Sequence, residues 1–411
     1  MTLLLVESNT TGTGRLFARS ARDLGIEPVL VTADPSRYPY VALDGLRTEL
    51  ADTADRDAVL AAARRIAAVD PVRGVTSSSE YYIAVAAATS RALGLPGPRE
   101  EAIRTCRDKA AQRRRLGEAG VPQPRYEVVR DVPGALAAAS RIGFPVVLKP
   151  VQGSGSLGVR ACADEEETTR HAAALAATRV NERGMAVPPD FLVEELLPGA
   201  EFSVEVFGGA AIVVVTKHLG EPPTFVETGH DVPAAVTSAR AGLLRECAEH
   251  AVAALGLDWG AAHVELRLDT DRPAVVEVNP RLAGGMIPDL VRRVCGIDLV
   301  ADQVRAAAGL APAAADGPRA GAAAIRFLTA GHDAVLAGPE LTDGLLGAVR
   351  EVPGVVDAVL YAAAGSQVTR AIDFRGRLGH VIAEAASVPE AVHVAERGCD
   401  LLSRSLQAVP V

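Results

Sequence analysis

Ala261-Ala262-His263-Val264-Glu265-Leu266-Arg267 and Val275-Val276-Glu277-Val278-Asn279-Pro280-Arg281 are two short runs in which polar and apolar residues alternate. An alternation of period two marks half-buried strands, so His263, Glu265 and Arg267 share one face. The same rule groups Glu277, Asn279 and Arg281 and points Val276 and Val278 into the core. If residues 269–273 close a hairpin, Glu265 falls opposite Glu277. Like charges directly across a ladder repel, and a bound divalent cation removes the conflict. Two carboxylates and the Asn279 carbonyl are hard oxygen ligands suited to Mg²⁺, which keeps several waters or completes its shell with nucleotide phosphates. Either glutamate alone would read as a solvated residue paired with Arg267 or Arg281; the strict alternation with Asn and Arg favours the metal.

Upstream, Phe144-Pro145-Val146-Val147-Leu148-Lys149-Pro150 reads as a buried strand ending in a lysine. It leads into Gly153-Ser154-Gly155-Ser156-Leu157-Gly158-Val159, whose glycines let backbone N–H groups approach phosphate oxygens. This is not a P-loop, since no Gly-Lys-Ser/Thr closes the loop onto a helix.

Outward from these runs the chain organises itself. Residues 3–7, a turn at Gly12 and Gly14, a helix through Leu24 and residues 28–32 alternate strand and helix, the rhythm of a parallel sheet. A helix over 58–68 and a strand over 74–76 lead to the turn Ser77-Ser78-Ser79-Glu80, and a further helix ends near Gly94. Leu95-Pro96-Gly97-Pro98 marks a boundary. Strands at 145–149 and 191–197 enclose a small inserted lobe; 202–207 and 211–216 form a hairpin through Gly208-Gly209; a helix over 241–255 precedes the two decisive strands. The loop 311–321 opens a final stretch with a hairpin expected around Gly376-Arg377-Leu378-Gly379. The expected division is an α/β domain over 1–104, a nucleotide-binding domain over 105–310 with a lid lobe at about 126–195, and a C-terminal lobe over 311–411 that completes the large nucleotide-binding domain.

A formal net charge of -9 argues against a nucleic-acid partner, because phosphate contacts need a basic surface. Cys106, Cys162, Cys247, Cys295 and Cys399 lack the paired spacing of a disulfide framework or zinc site, which points to a reducing cytoplasm. No stretch approaches the roughly 20 apolar residues of a membrane span, and none reads as a signal peptide.

Taken in order, these motifs resemble the ATP-grasp superfamily, across roughly 104–291 and more loosely over the whole chain. The resemblance implies an ATP-grasp fold, α/β with α+β nucleotide lobes. It places Lys109 and Lys149 at ATP phosphates under the loop of Ser154, Gly155 and Ser156. In Glu194-Glu195-Leu196-Leu197-Pro198-Gly199-Ala200-Glu201 it puts Glu194 to Leu197 at adenine and Glu201 at ribose. It makes Glu265, Glu277 and Asn279 the magnesium ligands, with Mn²⁺ as a substitute ion, and Arg281 the arginine that supports phosphoryl transfer. Within the superfamily the chain is most similar to bacterial L-amino acid ligases. Their Gly-His loop is matched by Glu227-Thr228-Gly229-His230-Asp231-Val232-Pro233, giving His230 a catalytic place beside the phosphoryl group. Gly284 and Gly285 match a substrate-side turn, Glu80 a carboxylate that holds an amino group, and Lys217 and His218 lie near the same loop as candidate substrate contacts.

The function so implied is ATP-dependent amide formation between a small-molecule carboxylate and an amine, both expected to be amino acids, through an acyl phosphate. A homodimer is the default assembly. The rivals are an ATP-grasp enzyme that activates bicarbonate or formate, an inactive nucleotide-binding module, and a dinucleotide-dependent oxidoreductase. The last rests on Gly12, Gly14 and Asp34 but lacks a third glycine, with Phe17 and Ala18 in its place.

Overall fold

A computed structural model describes residues 1–9 and 13–408. The first strands form a four-stranded parallel sheet in the order Arg47–Leu50, Glu27–Thr32, Thr2–Val6, Val72–Thr76. Its centre is apolar on both faces. Leu4, Val6, Val29 and Val31 pack on Val59, Ala62, Ala63 and Ile66, whereas Leu3, Leu5 and Leu30 pack on Phe17, Ala18 and Ala21 of helix Thr13–Asp23. An unbroken run such as Leu3-Leu4-Leu5-Val6 is therefore what a doubly covered parallel strand requires. The edge strand Arg47–Leu50 has no such run and was not foreseen. Gly12 lies outside the described residues; Gly14 is inside the helix.

The inserted lobe is a four-stranded antiparallel sheet in the order Tyr126–Val129, Phe191–Glu195, Val146–Pro150, Arg160–Cys162. Helices Val132–Ile142 and Glu165–Ala177 cover it through Ala135, Ala138, Ala139 and Ala172, small residues that let helix and sheet approach closely.

An eight-stranded sheet runs Arg272–Asn279, Ala261–Asp269, Ala200–Phe207, Ala210–Leu219, Glu227–Val232, Ala322–Thr329, Arg377–Ala385, Val355–Leu360. Strands after the loop 311–321 thus complete the sheet begun before it. The hairpin expected around Gly376 is corrected: Phe374–Gly376 is a single helical turn, and Arg377–Ala385 is an inner strand paired on both sides. Among the described residues no helix is long and apolar enough to cross a membrane, and the five cysteines are free thiols.

In the decisive hairpin, Glu265 does stand opposite Glu277 and His263 opposite Asn279. One expectation fails in detail. A register shift between Glu265 and Leu266 makes a bulge, so Val275 and Val278 enter the core while Val276 remains half-buried at the cavity wall. Helix Lys109–Glu118 explains the bulge, because it lies along this edge strand and meets its free backbone groups. Gln112 exchanges two hydrogen bonds with Val278, at 2.8 and 2.9 Å, as a neighbouring strand would. Arg113 donates to the carbonyls of Val275 and Val276, at 3.1 and 2.6 Å.

Arg113 also grips Glu194 of the inserted lobe through two bonds of 2.7 and 3.0 Å, and Lys149 Nζ lies 2.7 Å from the same carboxylate. All three side chains are almost wholly buried. Burial alone would raise the Glu194 carboxyl; Arg113 and Lys149 override it and hold it at about 2. Its folded value lies below its unfolded one, so its stabilisation is complete above about pH 4.5 and is lost as pH falls through about 2. Glu194→Gln, which leaves two buried cations uncompensated, is expected to cost about 3–5 kcal/mol in urea unfolding at pH 7. The deficit should shrink at pH 3; an equal deficit at both pH values would show that the cations do not hold this carboxylate ionised.

Candidate active site

A cavity of about 1150 Å³ opens where the three sheets meet, at the carboxyl ends of Thr2–Val6 and Val72–Thr76 and over one face of the large sheet. Open α/β sheets place ligands at such a switch in strand order. The inserted lobe supplies Lys149 and the glycine loop. Three separate parts of the chain hold that loop: Ser154 Oγ donates to Glu80 at 2.6 Å, Ser156 Oγ to the Phe225 carbonyl at 3.1 Å, and the Phe374 ring packs against Gly155. Lys109 Nζ lies 3.0 Å from Glu277 and donates to the Gly153 carbonyl at 3.3 Å, tying the loop to the large sheet.

Glu194, Glu195, Leu197 and Glu201 follow each other along the cavity wall. The Glu194 carboxylate is engaged by Arg113 and Lys149. Glu195 pairs with Arg125 at 3.2 Å, and the Leu197 carbonyl accepts from Arg267 at 2.8 Å. Glu201 lies 3.2 Å from both Arg267 and Lys217.

Lys217 is the electrostatic centre of the wall. Its buried ammonium touches Glu201, Glu227 and Glu265, the last two at 2.8 Å. Burial would lower its pKa, but Glu227, Glu265 and Glu201 raise it well above the ordinary value. Glu265 also accepts from His263 at 3.1 Å, while the other ring nitrogen faces Glu205 at 2.8 Å. Burial works against the imidazolium, yet Glu205 and Glu265 push it up to about 9. Glu265 itself is held well below the carboxylate range by Lys217 and His263 in spite of burial. The in-register pair Glu265 and Glu277, half-buried on the cavity wall beside Asn279, supplies hard oxygen donors. Among the described residues no cluster of three His, Cys, Asp or Glu side chains forms a closed metal cage. The donor set fits Mg²⁺ shared with phosphate oxygens, the way this ion is ordinarily held.

Glu80 joins the lobes. It accepts from Arg107, from Ser154, and from Arg281 at 2.9 Å, so the serine turn, the glycine loop and the end of strand Arg272–Asn279 converge on one carboxylate. Gly284 and Gly285 line the cavity next to Arg281.

Two expectations are corrected. His230 does not line the cavity: it lies across from Lys217 but is fully buried, edge-on to Phe327 and roofed by Gly285, where a Cβ would come 2.5 Å from Nε2. Burial pushes the ring down to about 3, so it is neutral; Glu227 lies 3.8 Å from Nε2, and among the described residues neither ring nitrogen has a hydrogen-bond partner. His218 follows Lys217 in a strand and therefore faces the other way, bonded to Asp231 at 2.6 Å, which Arg326 holds at 2.7 Å.

Several cavity residues were not foreseen. Arg107, Arg113, Glu227, His263 and Arg377 all line it or brace it. Arg377 donates to the Glu227 carboxylate and stacks over Phe327 at 4.2 Å, bringing the last lobe to the site. His263 and Glu227 sat in the quoted motifs, and alternation about Glu265 could have found the first. Arg377 lies far from any motif and only the sheet order finds it.

The comparisons with known proteins agree with this geometry. Residues 142–289 match the ATP-grasp domain, 18–97 the ATP-grasp N-terminal domain, and 326–406 the L-amino acid ligase C-terminal domain 2. An uncharacterized protein, y4rH, of Sinorhizobium fredii is 34% identical over 404 residues, 98% of this chain and 83% of that one. Alanine–anticapsin ligase of Bacillus amyloliquefaciens is 30% identical over 57% of this chain, and carnosine synthase 1 of Gallus gallus 29% over 78%. The chain spans 54% of the former and 37% of the latter. In fold, the L-amino acid ligase of Bacillus licheniformis matches with a TM-score of 0.79 at 20% identity, covering 100% of this chain and 98% of that one. A carboxyaminoimidazole ribonucleotide synthase of Aspergillus clavatus, solved with ATP, matches at 0.74 and 20%, covering 98% and 99%. From its N-terminal sheet to its last lobe, the chain belongs to the ATP-grasp carboxylate–amine ligase family.

Proposed function

We propose that this protein joins a small-molecule carboxylate to an amine, both amino acids, by activating the carboxylate with ATP as an acyl phosphate. The observation that carries the reading is Glu265 in register with Glu277 on a cavity wall that also presents Lys109, Lys149 and Arg281. Mg²⁺ held by Glu265, Glu277 and Asn279 would supply charge neutralisation at phosphate oxygens. Lys109 and Lys149 bind those phosphates, and the backbone from Glu194 to Leu197 receives the base, with Glu201 at the ribose. Ser154, Gly155 and Ser156 close over the phosphates and exclude water, which would otherwise hydrolyse the activated acid.

The first step forms a bond from the substrate carboxylate oxygen to the γ-phosphorus and breaks the bond to ADP. In the second, the neutral amine attacks the acyl carbon, phosphate leaves, and one proton is released. Positioning and charge are most of what such transfers ask of a protein. Arg281 stabilises the charge that grows on the phosphoryl and then the tetrahedral oxygen, while Glu80 fixes its guanidinium. Glu80 and Lys217 supply the opposite charges around the substrates. The Gly284–Gly285 turn, resting on neutral His230, shapes the wall there.

Incubation with Mg-ATP and pairs of L-amino acids should release ADP and phosphate and yield a condensed mass. AMP as the nucleotide product would sink the acyl-phosphate step, and turnover with bicarbonate alone would favour the carboxylating rival. Arg281→Ala should lower kcat about 10²–10³-fold with the KM for ATP little changed. Gly285→Ala adds a Cβ 2.5 Å from His230 Nε2 on a backbone with φ of 57°. It should raise the KM of an amino acid substrate and cost about 1–3 kcal/mol in thermal unfolding, whereas unchanged KM would detach this turn from the substrate.

A further inference from the structure

Guanidiniums crowd this cavity, and most are already satisfied. Arg107 and Arg281 hold Glu80, Arg113 holds Glu194, Arg267 holds Glu201, Arg375 holds Asp373 and Arg377 holds Glu227. Arg183 is different. It lines the cavity, its Nη1 is buried, and among the described residues that atom has no hydrogen-bond partner. Among the described residues its guanidinium makes no ion pair; it lies over the Tyr81 ring, 5.7 Å from Cζ to the centroid. A buried donor left unmet costs about 1–3 kcal/mol, so such a group in a cavity wall calls for an acceptor from outside the chain.

The presentation of Arg183 is built rather than incidental. It stands at the tip of a turn in the inserted lobe, closed by the bridge between Val180 and Ala186. The Asn181 side chain accepts from the backbone N–H of Arg183 and of Met185, each at 2.9 Å. The adjacent carboxylate, Glu182, is engaged by the Tyr81 hydroxyl, which pins the turn to the N-terminal domain. Arg183 thereby lines the cavity over the Tyr81 ring, and Asn9, Arg37 and Ser78 of the N-terminal domain line the same cavity.

We propose that Arg183 binds a carboxylate that does not react, the one carried by the amine substrate. The inference rests on the ligase reading. In that reading the reacting carboxylate meets phosphate beside Lys109, Lys149 and Arg281, each of which already faces a carboxylate of the chain, whereas Arg183, over the same Tyr81 ring as Arg107, is left for a second anion. A planar guanidinium with a free edge is matched to a carboxylate, which accepts two parallel N–H bonds. Arg183 belongs to the lid lobe, and Ser78 and Tyr81 belong to the N-terminal domain. A substrate held between them couples its own recognition to closure of the lid, which makes selection of the amine part of committing the activated acid.

The test compares amine partners that differ only at the end that does not react: L-amino acids and their α-amides, with the acyl partner saturating. Wild type should favour the free acid by at least about tenfold in kcat/KM, mainly through KM, as expected for a lost charge-assisted contact. Arg183→Gln should erase this ratio while kcat and the KM for ATP stay within about twofold, and Arg183→Lys should restore part of it. A ratio that survives in Arg183→Gln overturns the proposal, as does a preference that follows a second carboxylate on the acyl partner. Calorimetry of the same acids and amides with Mg²⁺ and a non-hydrolysable ATP analogue reads binding without turnover. Ligation without an Arg183-dependent acid preference would sink this inference alone; acid-selective, Arg183-dependent binding without ligation would sink the ligase reading alone.

Discussion

The buried carboxylate of Glu194, held between Arg113 and Lys149, is the interaction on which the arrangement of the lobes depends. It sits on a lid strand, Arg113 comes from the helix along the large sheet, and Lys149 comes from the neighbouring lid strand. The same guanidinium reaches the carbonyls of Val275 and Val276, so one residue links lid, helix and bulge. Isolated charges at this depth would be strongly unfavourable; here each is met by opposite charge and hydrogen bonds. The network does more than hold lobes together. It orients Lys149 at the cavity wall and sets the bulge that turns Val276 toward the cavity, immediately before Glu277.

How much of this was legible in the sequence follows from which forces act locally. Period-two alternation placed Glu265 opposite Glu277, and that pairing was right because a short hairpin turn leaves the register little freedom. The bulge was not legible: it answers to Arg113, more than 160 positions away in sequence. Arg47–Leu50 was missed because an edge strand needs no apolar run. Gly376 and Gly379 suggested a hairpin because glycine marks both turns and close approach. Gly379 belongs to the second kind, since a Cβ there would come 2.5 Å from the Val359 carbonyl.

The histidines teach the same lesson about sites. His230 stood in a motif and was given chemistry, but the structure places it under Gly285 with a neutral ring, shaping the wall from behind. His263 was grouped on the right face yet given no role, although it contacts Glu265 directly and carries charge well above neutral pH. Burial and partners decide the difference, and neither can be read from residue type. His218 failed for a simpler reason, because its neighbour Lys217 already occupied the cavity face.

In the proposed reaction a chain with a formal net charge of -9 must receive a polyanion. The cavity resolves this by embedding its cations among carboxylates, with Lys217 against three of them and Lys109 against Glu277. These carboxylates hold the lysines at the cavity wall, where in the ligase reading phosphate would meet them. The same contacts hold Glu265 well below the carboxylate range despite its burial, so a cation arriving there as proposed would meet a charged oxygen without first displacing a proton. In the ligase reading, the carboxylates and ammonium groups that neutralise each other here are the groups that would separate, one set toward metal and the other toward phosphate. Arg183, which has no carboxylate to leave, requires no such exchange, and its charge is available to a substrate from the outset.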